Sequence, residues 1–269
     1  MKLLSTGESN AKLRKSDGRG YLLFGLSLRP SDMSGYDVCS RSGVCKEDCV
    51  LEHAGRGNMP SVRDARTRKT RRLFEDRANF LADLHDDIRR AVASAKRKNL
   101  HCAIRLNVAS DVPWERLDPT LFDYDATFYD YSKIETRFGS TLPSNYHLTY
   151  SYNEKSDPSM VSDVLQEGGN VAVVCDTIYN PGYKIGDLPQ QWQGHKVIDG
   201  DSHDLRLQEF DGTASIIGLR GKGGKDLVLK SVAKGFIQRT KGGVTDVYRQ
   251  ETGAEYVIQE LIQLTVNAA

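Results

Sequence analysis

Three cysteines lie close together near the start of the chain, in the run VCSRSGVCKEDCV. They are Cys39, Cys45 and Cys49, spaced C-x5-C-x3-C, whereas Cys102 and Cys175 stand alone in apolar runs. Thiolates are the ligands that zinc, copper(I) and iron–sulfur clusters select. The spacing lets a single loop offer three thiolates to one centre, so we predict that Cys39, Cys45 and Cys49 are metal ligands.

Two kinds of centre match this loop. Three cysteines without an obvious fourth suit a 4Fe–4S cluster in which one iron is left open. Alternatively, His53 follows Cys49 by four residues and completes a Cys3His set for zinc. Structural zinc sites more often contain a tight C-x2-C pair, which this loop lacks, so the cysteine spacing favours the iron–sulfur cluster.

The phrase DGDSHD brings carboxylates and an imidazole into six residues, 199–204. Carboxylate oxygens bind divalent cations, and a histidine can serve as an acid or base near neutral pH. We therefore take Asp199, Asp201 and His203 as candidate catalytic residues, together with Cys175 at the end of an apolar run. The alternatives are a solvated turn for the phrase and a core position for Cys175.

Two basic segments are candidates for binding anions. Residues 220–225 read RGKGGK before a predicted helix, and backbone N–H groups at such a place bind phosphate or carboxylate. Arg220 and Lys222 are therefore candidate ligands of a nucleotide, of the S-adenosylmethionine carboxylate or of nucleic-acid phosphate; a flexible surface turn is the alternative. Residues 63–72, RDARTRKTRR, are the one local feature that supports a nucleic-acid partner, unless they form a solvated helix face.

The elements that must position these residues alternate between strand-type and helix-type patterns. Strand-type segments are residues 21–29, 102–108, 126–131, 146–152, 170–175, 195–198 and 214–219. Helix-type segments are residues 61–98, 157–168 and 225–236. Residues 245–269 fit either a helix or a closing strand. The alternation predicts an α/β fold with a parallel sheet, either a complete or a partial (β/α) TIM-like barrel, formed by residues 1–269 as a single domain.

A barrel gathers the polar residues that follow its strands at one rim, where barrel enzymes carry their chemistry. We therefore expect cofactor-binding residues at the strand ends close to the cysteine loop. The predicted set is Arg105, Asn107, Asp111, Asp130, Lys133, Arg220 and Lys222. Such a rim would receive a small-molecule substrate or cosubstrate.

Composition and charge limit the partners and the cellular compartment that we expect for the chain. The chain has 37 Lys and Arg against 36 Asp and Glu, a net charge of +1, which gives no overall attraction to nucleic acid or to an anionic membrane. No apolar run approaches the ~18 residues of a membrane-spanning helix, and the first residues lack the apolar stretch of a secretory signal. We expect a cytoplasmic protein without a membrane partner, in which the cysteines are reduced.

Several runs resemble a family of uncharacterised bacteriophage proteins. They are NAKLRKSD, YLLFGLSLRPSDMSGYDVCSRSGVCKEDCV, RKTRRLF, RLNVASDVPWE and VIDGDSHDLR. The resemblance covers roughly residues 10–222 and includes the C-x5-C-x3-C spacing on a loop after the first strand. It implies a phage protein with a metal-binding cysteine loop, in the cytoplasm of an infected host cell.

A second resemblance is to radical S-adenosylmethionine enzymes. Those are complete or partial barrels with three cluster cysteines on the loop after the first strand, and S-adenosylmethionine binds the open iron. This chain departs from their C-x3-C-x2-C spacing, and its second strand ends NVASD in place of a Gly-Gly-Glu-like turn. The resemblance implies S-adenosylmethionine as a cosubstrate, with Asp111 in the place of the missing turn.

These observations predict an iron–sulfur barrel protein, an enzyme of redox or radical type. One alternative is a protein in which zinc or a cluster fixes a loop that binds nucleic acid or a protein partner. Another is a metal-dependent hydrolase that uses Asp199, Asp201 and His203.

Overall fold

The computed structural model describes residues 1–7, 13, 19–47, 49–53, 55–139, 141–177, 186–222, 224–241 and 244–247. The protein has a mixed α/β structure with mostly parallel strands. It divides into two compact units. The first comprises Met1–Ser42, Leu51–Tyr150 and Ser202–Gly212, and the second comprises Gly43–Val50, Ser151–Asp201 and Thr213–Ala269. That residues 1–269 form a single domain stays a prediction.

The described strands include all seven that the sequence predicts. They are β1 (Leu4–Thr6), β2 (Tyr21–Leu26), β3 (His101–Arg105), β4 (Thr127–Ser132), β5 (Tyr146–Ser151), β6 (Asn170–Cys175), β7 (Gln191–Trp192), β8 (His195–Asp199), β9 (Ile216–Arg220), β10 (Thr240–Lys241) and β11 (Val244–Val247). The predicted segments correspond to β2 to β6, β8 and β9. Of the predicted element at 245–269, all but the residues in β11 lies outside the described residues.

The helices are mostly short. They are α1 (Val44–Glu47), α2 (Val50–His53), α3 (Pro60–Glu75), α4 (Arg77–Arg97), α5 (Trp114–Leu117), α6 (Pro158–Gln166), α7 (Gln208–Asp211) and α8 (Lys225–Ala233), with 3₁₀ turns at Gly55–Asn58, Pro119–Asp123 and Glu135–Arg137. Among the residues described, no helix is long and apolar enough to cross a membrane.

The sheet of the first unit is wound in chain order. β2, β3, β4 and β5 are successive parallel neighbours, and β1 pairs antiparallel with β2, with Leu4 opposite Leu26. Parallel neighbours need a crossover connection, and α3 and α4 provide the one between β2 and β3. Successive neighbours are typical of singly wound barrels, whereas doubly wound sheets reverse their strand order.

The helical stretch predicted at 61–98 is two helices. α3 ends and α4 begins at Asp76, whose φ of −144° and ψ of 55° are not helical. Phe80, in α4, lies fully buried in the core, whereas Phe74, just before the break, is 37% exposed. It stacks on Tyr36 instead, with ring centroids 4.5 Å apart.

Both faces of the first unit's sheet are covered, as a parallel sheet requires. Ile104 of β3 packs in the same core as Phe80 and the other buried residues of α4. Its neighbour Ala103 points to the opposite face and joins a second core with Tyr129 and Leu205. The chain therefore returns, at Ser202–Gly212, to cover the face that the long helices leave open.

The second unit has a different strand order. β6 lies beside β9 and β9 beside β8, all parallel, while β7 pairs antiparallel with β8. This antiparallel pair occupies an edge that a closed barrel would give to a parallel strand. The described strands are not closed into a barrel, so the structure does not meet the expectation of a complete barrel. α6 follows its prediction, because Asp157 accepts the Ser159 N–H at 2.9 Å.

Candidate metal centre and strand-end network

Cys39 lies beyond the carboxyl end of β3, in the first unit. Its Sγ is 3.8 Å from the carbonyl oxygen of Ala109, and its N–H donates to Asp37 Oδ1 at 2.8 Å. Beside it, the Asp111 N–H donates to the carbonyl oxygen of Val38 at 2.8 Å. These contacts hold the start of the cysteine loop against the segment that follows β3, with the thiol half-buried.

Cys45 and Cys49 follow a glycine whose conformation is constrained. Gly43 has a φ of +51°, and a Cβ there would lie 2.0 Å from Glu154 Oε1. The same oxygen accepts the N–H of Val44 at 2.8 Å and so satisfies one donor at the start of α1. Within the second unit this carboxylate fixes the turn before Cys45, which is half-buried, and Cys49, which is buried.

All five cysteines are among the described residues, and none is in a disulfide. Within the part of the chain that the structure describes, no group of three or more His, Cys, Asp or Glu side chains is arranged to hold a metal ion. The side chain of His53, the alternative zinc ligand, is outside that description. Three thiols are a suitable donor set for a soft metal centre, and both the cluster and zinc stay predictions.

Arg105, at the end of β3, lies in a buried network of charges. Its Nη1 donates to Asp204 Oδ1 at 2.7 Å, and its Nε is 3.9 Å from Asp130 Oδ1. Tyr129 donates its hydroxyl to the other Asp204 oxygen at 3.3 Å, and the guanidinium stands 4.8 Å from the ring centroid of Tyr131. Since Arg105 is buried, these two carboxylates compensate its charge where water cannot.

Asp130, in β4, accepts several hydrogen bonds near the carboxyl ends of the parallel strands. It accepts the backbone N–H of Asn107 at 2.7 Å, the Asn107 Nδ2 at 3.2 Å and the Tyr146 hydroxyl at 2.9 Å. Burial raises the pKa of Asp130 to about 7, against the opposing effects of Arg105 and these donors. Asp130 can therefore take up or release a proton near neutral pH.

Arg137 joins this network to Asp111. The fully buried guanidinium donates to Asp111 Oδ1 at 3.0 Å, to both oxygens of Glu115 at 3.0 and 2.8 Å, and to the Tyr146 oxygen at 2.7 Å. Asp111 also accepts the N–H of Lys133 at 2.7 Å. One arginine therefore ties together the segments that follow β3 and β4.

The structure brings five of the predicted cofactor-binding residues into this one network. They are Arg105, Asn107, Asp111, Asp130 and Lys133, the last through its backbone N–H. Sequence reasoning missed Arg137 and Tyr146, which connect them. The one signal in the sequence was the position of Arg137 shortly after a predicted strand. Whether the five residues contact a cofactor stays a prediction.

The phrase DGDSHD is divided between the two units. Asp199 and Asp201 belong to the second unit and His203 to the first. Nη2 of Arg206 lies 2.8 Å from Nδ1 of His203, and Asp211 Oδ1 is 3.4 Å from its Nε2. Burial and the charge of Arg206 lower the pKa of His203 to about 4, so the imidazole is neutral at pH 7. His203 is thus engaged with Arg206 and Asp211, which belong to the first unit as well.

Asp199 and Asp201 pair with the basic loop that follows β9. Nη1 of Arg220 donates to Asp199 Oδ1 at 2.8 Å, and its N–H donates to Asp201 Oδ2 at 2.9 Å. Lys222 Nζ donates to Asp201 Oδ1 at 2.6 Å. The hydrogen bond from Arg220 lowers the pKa of Asp199. Two carboxylates and two cations balance within this cluster of four residues, and their catalytic and cofactor-binding roles stay predictions.

Cys102 and Cys175 are both core cysteines. Burial raises the thiol pKa of each to about 12. Cys102 is the second residue of β3, at the end of the strand away from Cys39. Cys175 ends β6 fully buried, with its Sγ 3.8 Å from the carbonyl oxygen of Val173, while the next residue, Asp176, forms a buried ion pair with Arg239 at 2.8 Å. Both thiols stay protonated at neutral pH, which favours the core alternative for Cys175.

Together these features define a mixed α/β protein in which buried polar residues gather beyond the ends of parallel strands, beside a cysteine-rich loop. A protein-family model described as Gene product 88 matches residues 2–240, and the chain belongs to this family. The match fits the bacteriophage family that the sequence resembles, while the metal-binding role of the cysteine motif and the likeness to radical S-adenosylmethionine enzymes stay predictions. No curated protein and no solved structure matches the chain.

Proposed function

We propose that this protein binds a 4Fe–4S cluster through Cys39, Cys45 and Cys49 and acts as an enzyme of redox or radical type. The observation that carries the proposal is the position of Cys39, 3.8 Å from the carbonyl oxygen of Ala109 beyond the end of β3. Enzymes built on singly wound parallel strands carry their chemistry at that edge. The other two thiols follow within the next ten residues of the loop.

The proposal includes a partial (β/α) barrel as the scaffold. The order of β2, β3, β4 and β5, each beside its predecessor, supports a singly wound arrangement. In a partial barrel the strands need not close, and the edge beyond their carboxyl ends stays accessible to a small-molecule substrate or cosubstrate.

Cys39, Cys45 and Cys49 would hold such a cluster, and it would supply electrons or an open iron site for S-adenosylmethionine. The thiol of Cys39 lies next to the segment that carries Asn107 and Asp111. Asp130, with its pKa of about 7, holds or releases a proton beneath that segment. Arg105 compensates the negative charge of the carboxylates in this network.

The alternatives have weaker support. A hydrolase that binds a divalent cation needs uncompensated carboxylates, and Asp199 and Asp201 are balanced by Arg220 and Lys222. A zinc site with His53 stays the rival centre, and it would make the protein a binding module for nucleic acid or a protein partner. We assign the protein to the cytoplasm of an infected host cell, where thiols stay reduced.

The test is purification without oxygen, followed by iron, sulfide and zinc analysis and an absorption spectrum. We expect brown protein with a broad charge-transfer band and with iron and sulfide in similar amounts. Colourless protein that carries one zinc per chain would overturn the proposal and support the zinc alternative.

A further inference from the structure

An ion pair closes the segment that carries the three cluster cysteines. Arg29 lies shortly after β2, and Glu52 lies in α2. Nη2 of Arg29 is 2.9 Å from Glu52 Oε2, with side chains 14% and 3% exposed. The residues between them, 30–51, include Cys39, Cys45 and Cys49. The two ends of the cysteine loop are thus held together by oppositely charged side chains that water scarcely reaches.

The basic run of α3 surrounds the same carboxylate. Nε of Arg63 is 3.3 Å from Glu52 Oε2, and its Nη2 donates to the Glu52 carbonyl oxygen at 2.8 Å. Nη1 of Arg66 donates to the carbonyl oxygen of Leu51 at 3.0 Å and is 3.7 Å from Glu52 Oε1. The guanidiniums of Arg29, Arg63 and Arg66 therefore converge on one buried carboxylate.

The same face of α3 also holds the start of the loop. The hydroxyl oxygen of Thr70 accepts the N–H of Arg29 at 2.7 Å, and Nε of Arg71 donates to the carbonyl oxygen of Ser34 at 3.1 Å. Residues three and four positions apart share one helix face, so Arg63, Arg66 and Thr70 form a row. This row contacts the cysteine loop, and a nucleic-acid partner for the basic run at 63–72 stays a prediction.

We propose that Glu52 is a positioning residue and that it closes the cysteine loop onto α3 through Arg29, Arg63 and Arg66. Bringing the ends of a flexible loop together costs entropy, and a loop that is closed in advance does not incur that cost when metal binds. The closed loop would thus lose less entropy when its thiols gather around a metal. The role in metal binding rests on the proposed function, whereas the closure of the loop does not.

Glu52→Gln tests the inference in the full chain, because it keeps the shape of the side chain and leaves three guanidiniums without their carboxylate. Hydrogen exchange is measured at Gly35 and Val38, whose N–H groups donate to carbonyl oxygens within the loop at 2.9 and 3.1 Å. We expect exchange about tenfold faster at both amides, since local opening becomes easier. Asp86→Asn, which removes an exposed ion pair with Arg89, is the matched control and should leave both amides unchanged.

The second readout is iron bound per chain after anaerobic reconstitution with iron and sulfide. Both proteins are reconstituted at a temperature at which both are folded, and we expect Glu52→Gln to bind severalfold less iron than the wild type and Glu52→Asp to recover part of it. Unchanged exchange would overturn the closure. Faster exchange with wild-type iron content would overturn the positioning role. A wild type without iron would refute the proposed function, and exchange would still decide whether Glu52 closes the loop. Should Glu52→Gln not fold, Arg29→Lys is the milder variant for both readouts.

Discussion

Asp130 is the residue whose charge should respond most directly to pH, since burial raises its pKa to about 7 from the usual 3.8. Between these two values the folded state binds a proton that the unfolded state has lost. The contribution of Asp130 to stability is therefore present below about pH 4 and is lost as the pH rises through about 7.

Asp130→Asn should remove this pH dependence, because an amide does not ionise in that range. The wild type should lose stability relative to the variant as the pH rises from 5 to 8. Urea unfolding of both proteins at the two pH values measures this difference. If the difference in unfolding free energy between them were the same at both values, Asp130 would not titrate as described.

Arg137 is the residue on which the strand-end network depends most. Arg137→Met would leave Asp111 and Glu115 without their shared buried cation. Removing one partner of a buried ion pair costs about 3–5 kcal/mol, and we expect a loss of this order in chemical unfolding. Arg116→Met, which removes an exposed hydrogen bond to the Thr136 carbonyl oxygen, is the control. Equal losses in the two variants would contradict the role of Arg137.

At the scale of single residues, the sequence predicts which polar residues lie together at the strand ends. It does not predict the residues that connect them. Arg105 and Asp130 could be predicted because polar residues at the ends of apolar strands meet at one edge. Tyr146 could not, because an aromatic residue that begins a strand has the pattern of a core residue. Arg137 could not either, since a single arginine in a turn belongs to no periodic pattern and its long side chain can reach many partners.

At the scale of the element, Gly43 constrains the backbone of the cysteine loop before Cys45. Gly43 has a positive φ, and a Cβ there would lie 2.0 Å from the Glu154 carboxylate that satisfies the start of α1. Gly20 has a φ of +78°, and a Cβ added to it would meet nothing within 4 Å. Since a left-handed conformation costs a non-glycine residue about 1 kcal/mol, the two glycines differ only in the added clash.

Gly43→Ala should therefore destabilise the protein more than Gly20→Ala does, and it alone should lower the iron bound per chain. Thermal melting and iron analysis of the two variants measure both effects. Iron content that falls equally in both variants would show that the clash with Glu154 has no part in holding the loop.

Elements with a strong local pattern could be predicted, and their interruptions could not. The seven strands follow from short β-branched and aromatic runs that end in polar residues. The break at Asp76 is hidden because apolar residues continue at helical spacing on both sides of it. The sequence DGDSHD suggests a single cluster of side chains, but Asp201 and His203 belong to different units. Adjacency in the sequence does not fix the direction that the chain takes next.

At the scale of the whole molecule, strand alternation predicts parallel pairing and leaves the order of the strands open. In the first unit the order follows the chain, as a barrel requires. In the second, β8 lies on the far side of β9 from β6, and β7 pairs with it antiparallel. A short segment such as 195–198 carries no signal for its position in the sheet. The sequence pattern therefore could not decide whether the strands close into a barrel.

The claim that three cysteines hold an iron–sulfur cluster is tested most directly by iron and sulfide analysis of four variants beside the wild type. The variants are Cys39→Ala, Cys45→Ala, Cys49→Ala and Cys102→Ala. Each of the first three should lose iron, sulfide and colour, because two thiolates hold a cluster poorly. Each should still melt cooperatively, since a chain of this size folds on its own core. Cys102→Ala should keep its iron. Iron retained by the first three variants, or lost on substitution of Cys102, would contradict the account.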